Sequence, residues 1–129
     1  MNKILVEISI GELLDKISIL EIKKEKIKNN ERLKFINDEY DILKEQLDKN
    51  VKFEKTLKSL FQSLKNINFK LWTIEDEKRM CEKESKFDQK FIKLSRDIHF
   101  LNDERATIKL EINNLTGSKI KEIKEYIQY

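Results

Sequence analysis

The chain has 129 residues, 40% of them charged, with two Gly, no Pro and one Cys. That length points to one domain, and the scarcity of turn formers excludes a turn-rich β fold. The 27 basic and 24 acidic residues are interspersed, as in Glu-Ile-Lys-Lys-Glu-Lys at 21–26, so the net charge of +3 implies solvated helix faces and not a nucleic-acid surface.

No stretch approaches the roughly 18 apolar residues of a membrane span, and the first ten residues lack the apolar core of a secretory signal. Cys81 stands alone, so no intramolecular disulfide can form. The expectation is a cytoplasmic, all-α protein with neither nucleic-acid nor membrane partners.

Residues 1–9 form an N-terminal arm. Ile4, Val6 and Ile8 alternate with Leu5, Glu7 and Ser9, which reads either as an extended arm or edge strand or as a frayed helix start. Ser9-Ile10-Gly11-Glu12 then has the form of a capping box. It opens a first helix over 10–28 with Ile10, Leu13, Ile17, Leu20 and Ile27 as its seam. Leu14, Ile19 and Ile22 widen the apolar surface, so more than one neighbour should cover this helix. Asn29-Asn30 is the turn before a second helix over 31–48, striped by Leu33, Ile36, Tyr40, Leu43 and Leu47. Asp48-Lys49-Asn50 reads as the next turn, but no Gly or Pro enforces it, and the second and third helices could run on as one bent rod.

The third helix, over 51–83, carries Phe53, Leu57, Leu60, Leu64, Ile67, Leu71, Ile74 and Cys81 at steps of four and three, with Lys78 in the one missing place. Cys81 reads as a core thiol. Ser85-Lys86-Phe87-Asp88 offers an N-cap for a fourth helix over 86–115. Here Phe87, Phe91, Leu94, Ile98, Leu101, Ile108, Ile112 and Leu115 keep the same spacing, and the whole chain reads as organised around this stretch. Thr116-Gly117 ends the helix, and Ser118 would cap a short fifth helix over 118–127. The predicted architecture is an elongated antiparallel helical bundle with coiled-coil-like seams, made of two helical hairpins and a short C-terminal helix.

Arg105 interrupts the fourth seam, inside Asn102-Asp103-Glu104-Arg105-Ala106. A buried guanidinium is costly unless paired, ligated or able to reach the surface. By the antiparallel count its neighbours on the third helix are Gln62, Asn66 and Asn68, none of them acidic. Its carboxylate must come from its own helix, from the first helix (Glu12, Asp15) or from another subunit. Trp72, Glu75, Asp76 and Arg79 share one face of the third helix, with Arg96 level with the two carboxylates as their natural partner. His99 is the only histidine and lacks a carboxylate–His pair at ligand spacing, so no metal is expected. Asp103, one turn later, could orient its ring. No Gly loop for phosphate is present, and no cofactor is expected.

Three motifs together resemble a small all-helical bacterial family classified only as a domain of unknown function. The first is Gly11-Glu12-Leu13-Leu14-Asp15-Lys16-Ile17-Ser18-Ile19-Leu20. The second is Leu71-Trp72-Thr73-Ile74-Glu75-Asp76 with Arg79 and Glu82. The third comprises Phe91-Ile92-Lys93-Leu94-Ser95-Arg96 and Asn102-Asp103-Glu104-Arg105-Ala106-Thr107-Ile108-Lys109. Ser95 stands where the family pattern has Ala, and Lys78 where it has an apolar residue. The resemblance implies a helical protein encoded near surface-glycan genes, without an established activity. Its motif residues are Glu12, Asp15, Lys16, Trp72, Glu75, Asp76, Arg79, Arg96, Asn102, Asp103 and Arg105, which become the candidate ligand-binding set.

Two functions compete. One is a helical binding or accessory module, working as a homo-oligomer (dimer or higher) or with a glycan-biosynthesis protein such as a glycosyltransferase. The other is a small-molecule-binding protein or enzyme whose Lys16, Arg79, Arg96 and Arg105 grip an anion such as a nucleotide sugar, with Glu75 or Asp76 as acid or base.

Overall fold

The computed structural model describes residues 2–125 and 127–129. Among the described residues four helices form the bundle: α1 Ile10–Lys26, α2 Asn30–Asn50, α3 Lys55–Lys83 and α4 Gln89–Thr116. Residues 2–9 are neither helix nor strand, and Ile4 to Ile8 are exposed. Met1 of the arm lies outside the described residues.

Local chemistry sets the helix ends. The Ser9 hydroxyl accepts the Glu12 amide at 3.0 Å and starts α1. Only half of the expected capping box forms, because the Glu12 carboxylate goes to Lys109 at 2.7 Å. Asn29 caps α2 through the Arg32 amide at 3.0 Å. Asp88 caps α4, accepting the Lys90 and Phe91 amides at 3.2 and 3.4 Å. Gly117 ends α4 in the left-handed conformation, with φ 66°.

Residues 48–50 are helical and not the turn expected of them. Lys44–Asp48 at 2.9 Å and Lys49–Glu45 at 2.8 Å hold the last turns of α2, and Asn50 Nδ2 donates to the Gln46 carbonyl at 2.9 Å. The break comes at residues 51–54, so α2 and α3 are separate helices. Val51 and Phe53 turn inward against the core there, and Phe53 meets the Phe61 ring edge-on at 5.8 Å.

The short fifth helix is absent, since none of the described residues of 118–127 is helical. Its intended cap is otherwise engaged: the Ser118 hydroxyl accepts the Ile10 amide at 3.2 Å and donates to the Ile120 carbonyl at 2.8 Å. Ser118 thus ties the C-terminal segment to the start of α1. Tyr126, which that predicted helix included, lies outside the described residues.

The organising helix is α1, and not the fourth helix as its seam suggested. It packs against α2, α3 and α4, whereas α2 packs against α1 alone among the helices. Eight of the 17 residues of α1 are buried. Leu13, Leu14 and Ile17 join Leu47 of α2, Leu57 and Leu64 of α3 and Ile112 of α4 in one core. A helix wedged between three others needs apolar residues on more than one stripe, and Leu14 and Ile22 supply them.

Candidate functional site

Part of the polar face of α1 is buried along with its apolar one, at Asp15 and Ser18. Glu12, Asp15 and Ser18 are three residues apart and share a face. They meet Arg105 and Lys109 of α4 and Asn68 of α3, while Asn102 and Asn113 extend the same spacing along α4 by three and four residues.

Arg105 finds its carboxylate on the first helix. Its Nε donates to Asp15 Oδ1 at 3.0 Å and its Nη2 to Oδ2 of the same group, a forked pair suited to guanidinium geometry. Asp15 is 2% exposed, so the pair and its neighbours must satisfy it without water. Asn68 Nδ2 donates to Asp15 Oδ1 and to Ser18 Oγ, both at 2.8 Å, and Ser18 Oγ donates to the Asp15 carbonyl at 2.7 Å. The bond to Asp15 holds the half-buried guanidinium further toward its charged form.

One turn along α4, the Lys109 ammonium touches Glu12 at 2.7 Å and Glu122 at 2.8 Å and lies 3.8 Å from Asp15. Burial would lower its pKa, but hydrogen bonds to Glu12 and Glu122 outweigh that, so it is raised. Glu122 belongs to the segment after α4, and its carboxyl is pulled down to about 2, by Lys109 first and then by Lys124. Further on, Asn113 is fully buried and its Oδ1 accepts the Gly11 amide at 2.7 Å. Its Nδ2 has no hydrogen-bond partner among the described residues. Gly11 is required for this approach, because a Cβ there would meet the Lys109 carbonyl at 2.6 Å.

Beside these groups lies a cavity of about 360 Å³, lined by Glu12, Asn102, Arg105, Ala106, Lys109, Glu122 and Lys124. It is the place where a small polar molecule could meet the centre.

Of the candidate set, Glu12, Asp15, Asn102 and Arg105 come together here. Lys16 points outward, half exposed, with its ammonium 3.7 Å from Glu12. Asp103 accepts the Tyr129 hydroxyl instead of orienting His99, which is exposed. Trp72 is half-buried on α3 and takes no part in these bonds. Glu75, Asp76, Arg79 and Arg96 are exposed and stand apart, and none enters an ion pair among the described residues. Arg96 instead borders a second cavity, of about 700 Å³, with His99, Phe100 and Tyr129. A grip by Arg79, Arg96 and Arg105 acting together is therefore not assembled. Cys81 is buried and its thiol is free.

Asn113 and Glu122 are not singled out by the sequence; Asn68 counts as level with Arg105, and Lys109 stands in the third motif, but neither belongs to the candidate set. Lys109 follows Arg105 by four and so shares its face, a signal that could have found it. Nothing local marks Glu122, whose role depends on where the chain returns after Gly117.

Among the described residues, no group of His, Cys, Asp and Glu is arranged to hold a metal ion, and no helix is long and apolar enough to cross a membrane. No curated protein and no solved structure is significantly similar to the chain. Residues 4–128 do match a family of unknown function (DUF6165), and the chain belongs to that family.

Proposed function

We propose that this protein is a helical binding and accessory module that self-associates through α2, with its polar centre holding α1 in register. The observation that carries this reading is the poor cover of α2. That helix of 21 residues packs on α1 alone among the helices and buries only Leu47. Phe35 and Ile42, seven residues apart on one face, are 68% and 63% exposed. An amphipathic helix with a second apolar strip on its outer side is what a two-fold interface between copies requires.

The setting we propose is the cytoplasm, where a free thiol such as Cys81 persists. The family resemblance adds surface-glycan biosynthesis as the context and a glycan-biosynthesis protein as a further partner. The test is light scattering on wild type and a Phe35→Glu, Ile42→Glu double variant. The wild type should be a dimer or larger at micromolar concentration and the variant a folded monomer. A monomeric wild type would sink the proposal.

A second reading, a site for a small anion, is favoured by one observation, the cavity against Arg105 and Lys109. The exposed positions of Arg79 and Arg96 narrow it to those two cations.

A further inference from the structure

The 360 Å³ cavity has an unusual lining once Glu122 and Lys124 of the C-terminal segment are set aside. What the helices themselves contribute is Glu12, Asn102, Arg105, Ala106 and Lys109. That is two cations and an amide against one carboxylate. Asp15 also lies near, but both of its oxygens are engaged by Arg105, one of them shared with Asn68. The pairing with Asp15 uses Nε and Nη2 of Arg105, so Nη1 remains outside it. The remaining wall, Glu122 and Lys124, comes from the segment after α4, which places Glu122 between the Lys109 and Lys124 ammonium groups.

Between Ser118 and Tyr129, whose hydroxyl bonds Asp103 and whose ring meets Phe100 edge-on, the segment's described residues are lightly held. From Lys119 to Glu125 every residue except Glu122 is exposed, and Ser118 anchors its start. Few buried apolar contacts mean opening at low free-energy cost. The Glu122 carboxylate is thus a removable group on an ion site that the helices build without it.

We infer that Lys109, with Arg105 and Asn102, forms a binding site for a small-molecule carboxylate, and that Glu122 of the C-terminal segment occupies it as a built-in competitor. The class of ligand follows from the wall that stays. Glu12 is within reach of Lys109 and repels a second negative charge, so a singly charged carboxylate head fits better than a dianionic phosphate. Binding then displaces residues 119–125 from α4, which couples ligand to the exposure of this segment. This inference rests on the small-anion reading above and is independent of self-association.

The experiment is a titration with propionate, which reproduces the Glu122 side chain, followed by NMR shifts of the Arg105 and Lys109 amides. Wild type, Glu122→Gln and Glu125→Gln are compared, the last matching the charge change without touching the cavity. If the segment is closed nine-tenths of the time, removing its carboxylate tightens apparent binding about tenfold. Glu125→Gln should behave as wild type, and trypsin should cut wild type faster after Lys119 and Lys121 when propionate is present. Equal affinities for Glu122→Gln and Glu125→Gln would overturn the competitor role while leaving the anion site standing. If propionate shifts neither amide in any of the three proteins, the anion site itself falls.

Discussion

Arg105 and Asp15 are ninety residues apart in sequence and form a forked ion pair at the junction of α4 and α1. The two ends are unequal, since the Arg105 side chain is 30% exposed and that of Asp15 only 2%. Removing either partner therefore has a different cost. Arg105→Met strands a buried carboxylate with only Asn68 and, at 3.8 Å, Lys109 to hold it. We expect a loss of about 3 kcal/mol, the low end for a broken buried pair. Asp15→Asn lets the guanidinium turn to water and keeps an acceptor for Asn68, so about 1–2 kcal/mol should be lost. Urea unfolding of both variants checks the order, and a larger loss for Asp15→Asn would contradict it.

Asn68 bridges Asp15 and Ser18 with one amide nitrogen. Asn68→Ala removes a donor to a charged acceptor and to a buried hydroxyl. The expected cost is about 2 kcal/mol, again by urea unfolding. The same substitution at exposed Asn66, whose side chain bonds Gln62 on its own helix, should cost well under 1 kcal/mol.

Gly11→Ala pits helix propensity against space. Alanine would gain up to about 1 kcal/mol in a helix interior and less near its start. The added Cβ meets the Lys109 carbonyl at 2.6 Å and Asn113 Oδ1 at 2.9 Å, both fixed by the packing of α4. Overpacking of this kind costs about 1–3 kcal/mol, so the net sign is destabilising. A raised melting temperature in Gly11→Ala would show that α1 and α4 are free to separate.

Acid should release the C-terminal segment. The folded Glu122 pKa, about 2, lies below its ordinary 4.5. Its contact with Lys109 is therefore complete above about pH 4.5 and is lost as pH falls toward about 2. A carboxyl NMR titration should place Glu122 well below its ordinary 4.5, and Lys109→Met should move it back up. An ordinary value for Glu122 in the wild type would mean that the segment does not rest on Lys109.

Much of this was legible from residue spacing and much was not, for identifiable reasons. The α3 and α4 helices, the Ser9 cap and the Gly117 stop follow from local chemistry, whereas α4 is capped by Asp88 and not Ser85 and so starts three residues later than its expected first residue, 86. The deduction that Arg105 needs a carboxylate from outside α3 was also legible, because an antiparallel neighbour sits at a countable level. The central place of α1 was obscured because seam regularity reports how straight a helix packs, and not how many neighbours it has. The end of α2 was misplaced because Asp48, Lys49 and Asn50 are turn formers in isolation, yet here they bond back four residues. The polar centre depends on three elements crossing at Asp15 and on a returning segment, and no periodicity within one helix encodes either.

Self-association requires the outer face of α2 to meet a second copy. Hydrogen exchange of the α2 amides, followed as a function of protein concentration, addresses that face directly. Protection across residues 33–46 should rise with concentration and should be lost in the Phe35→Glu, Ile42→Glu variant while α1 stays protected. Exchange in α2 that is fast and independent of concentration would contradict self-association through this helix.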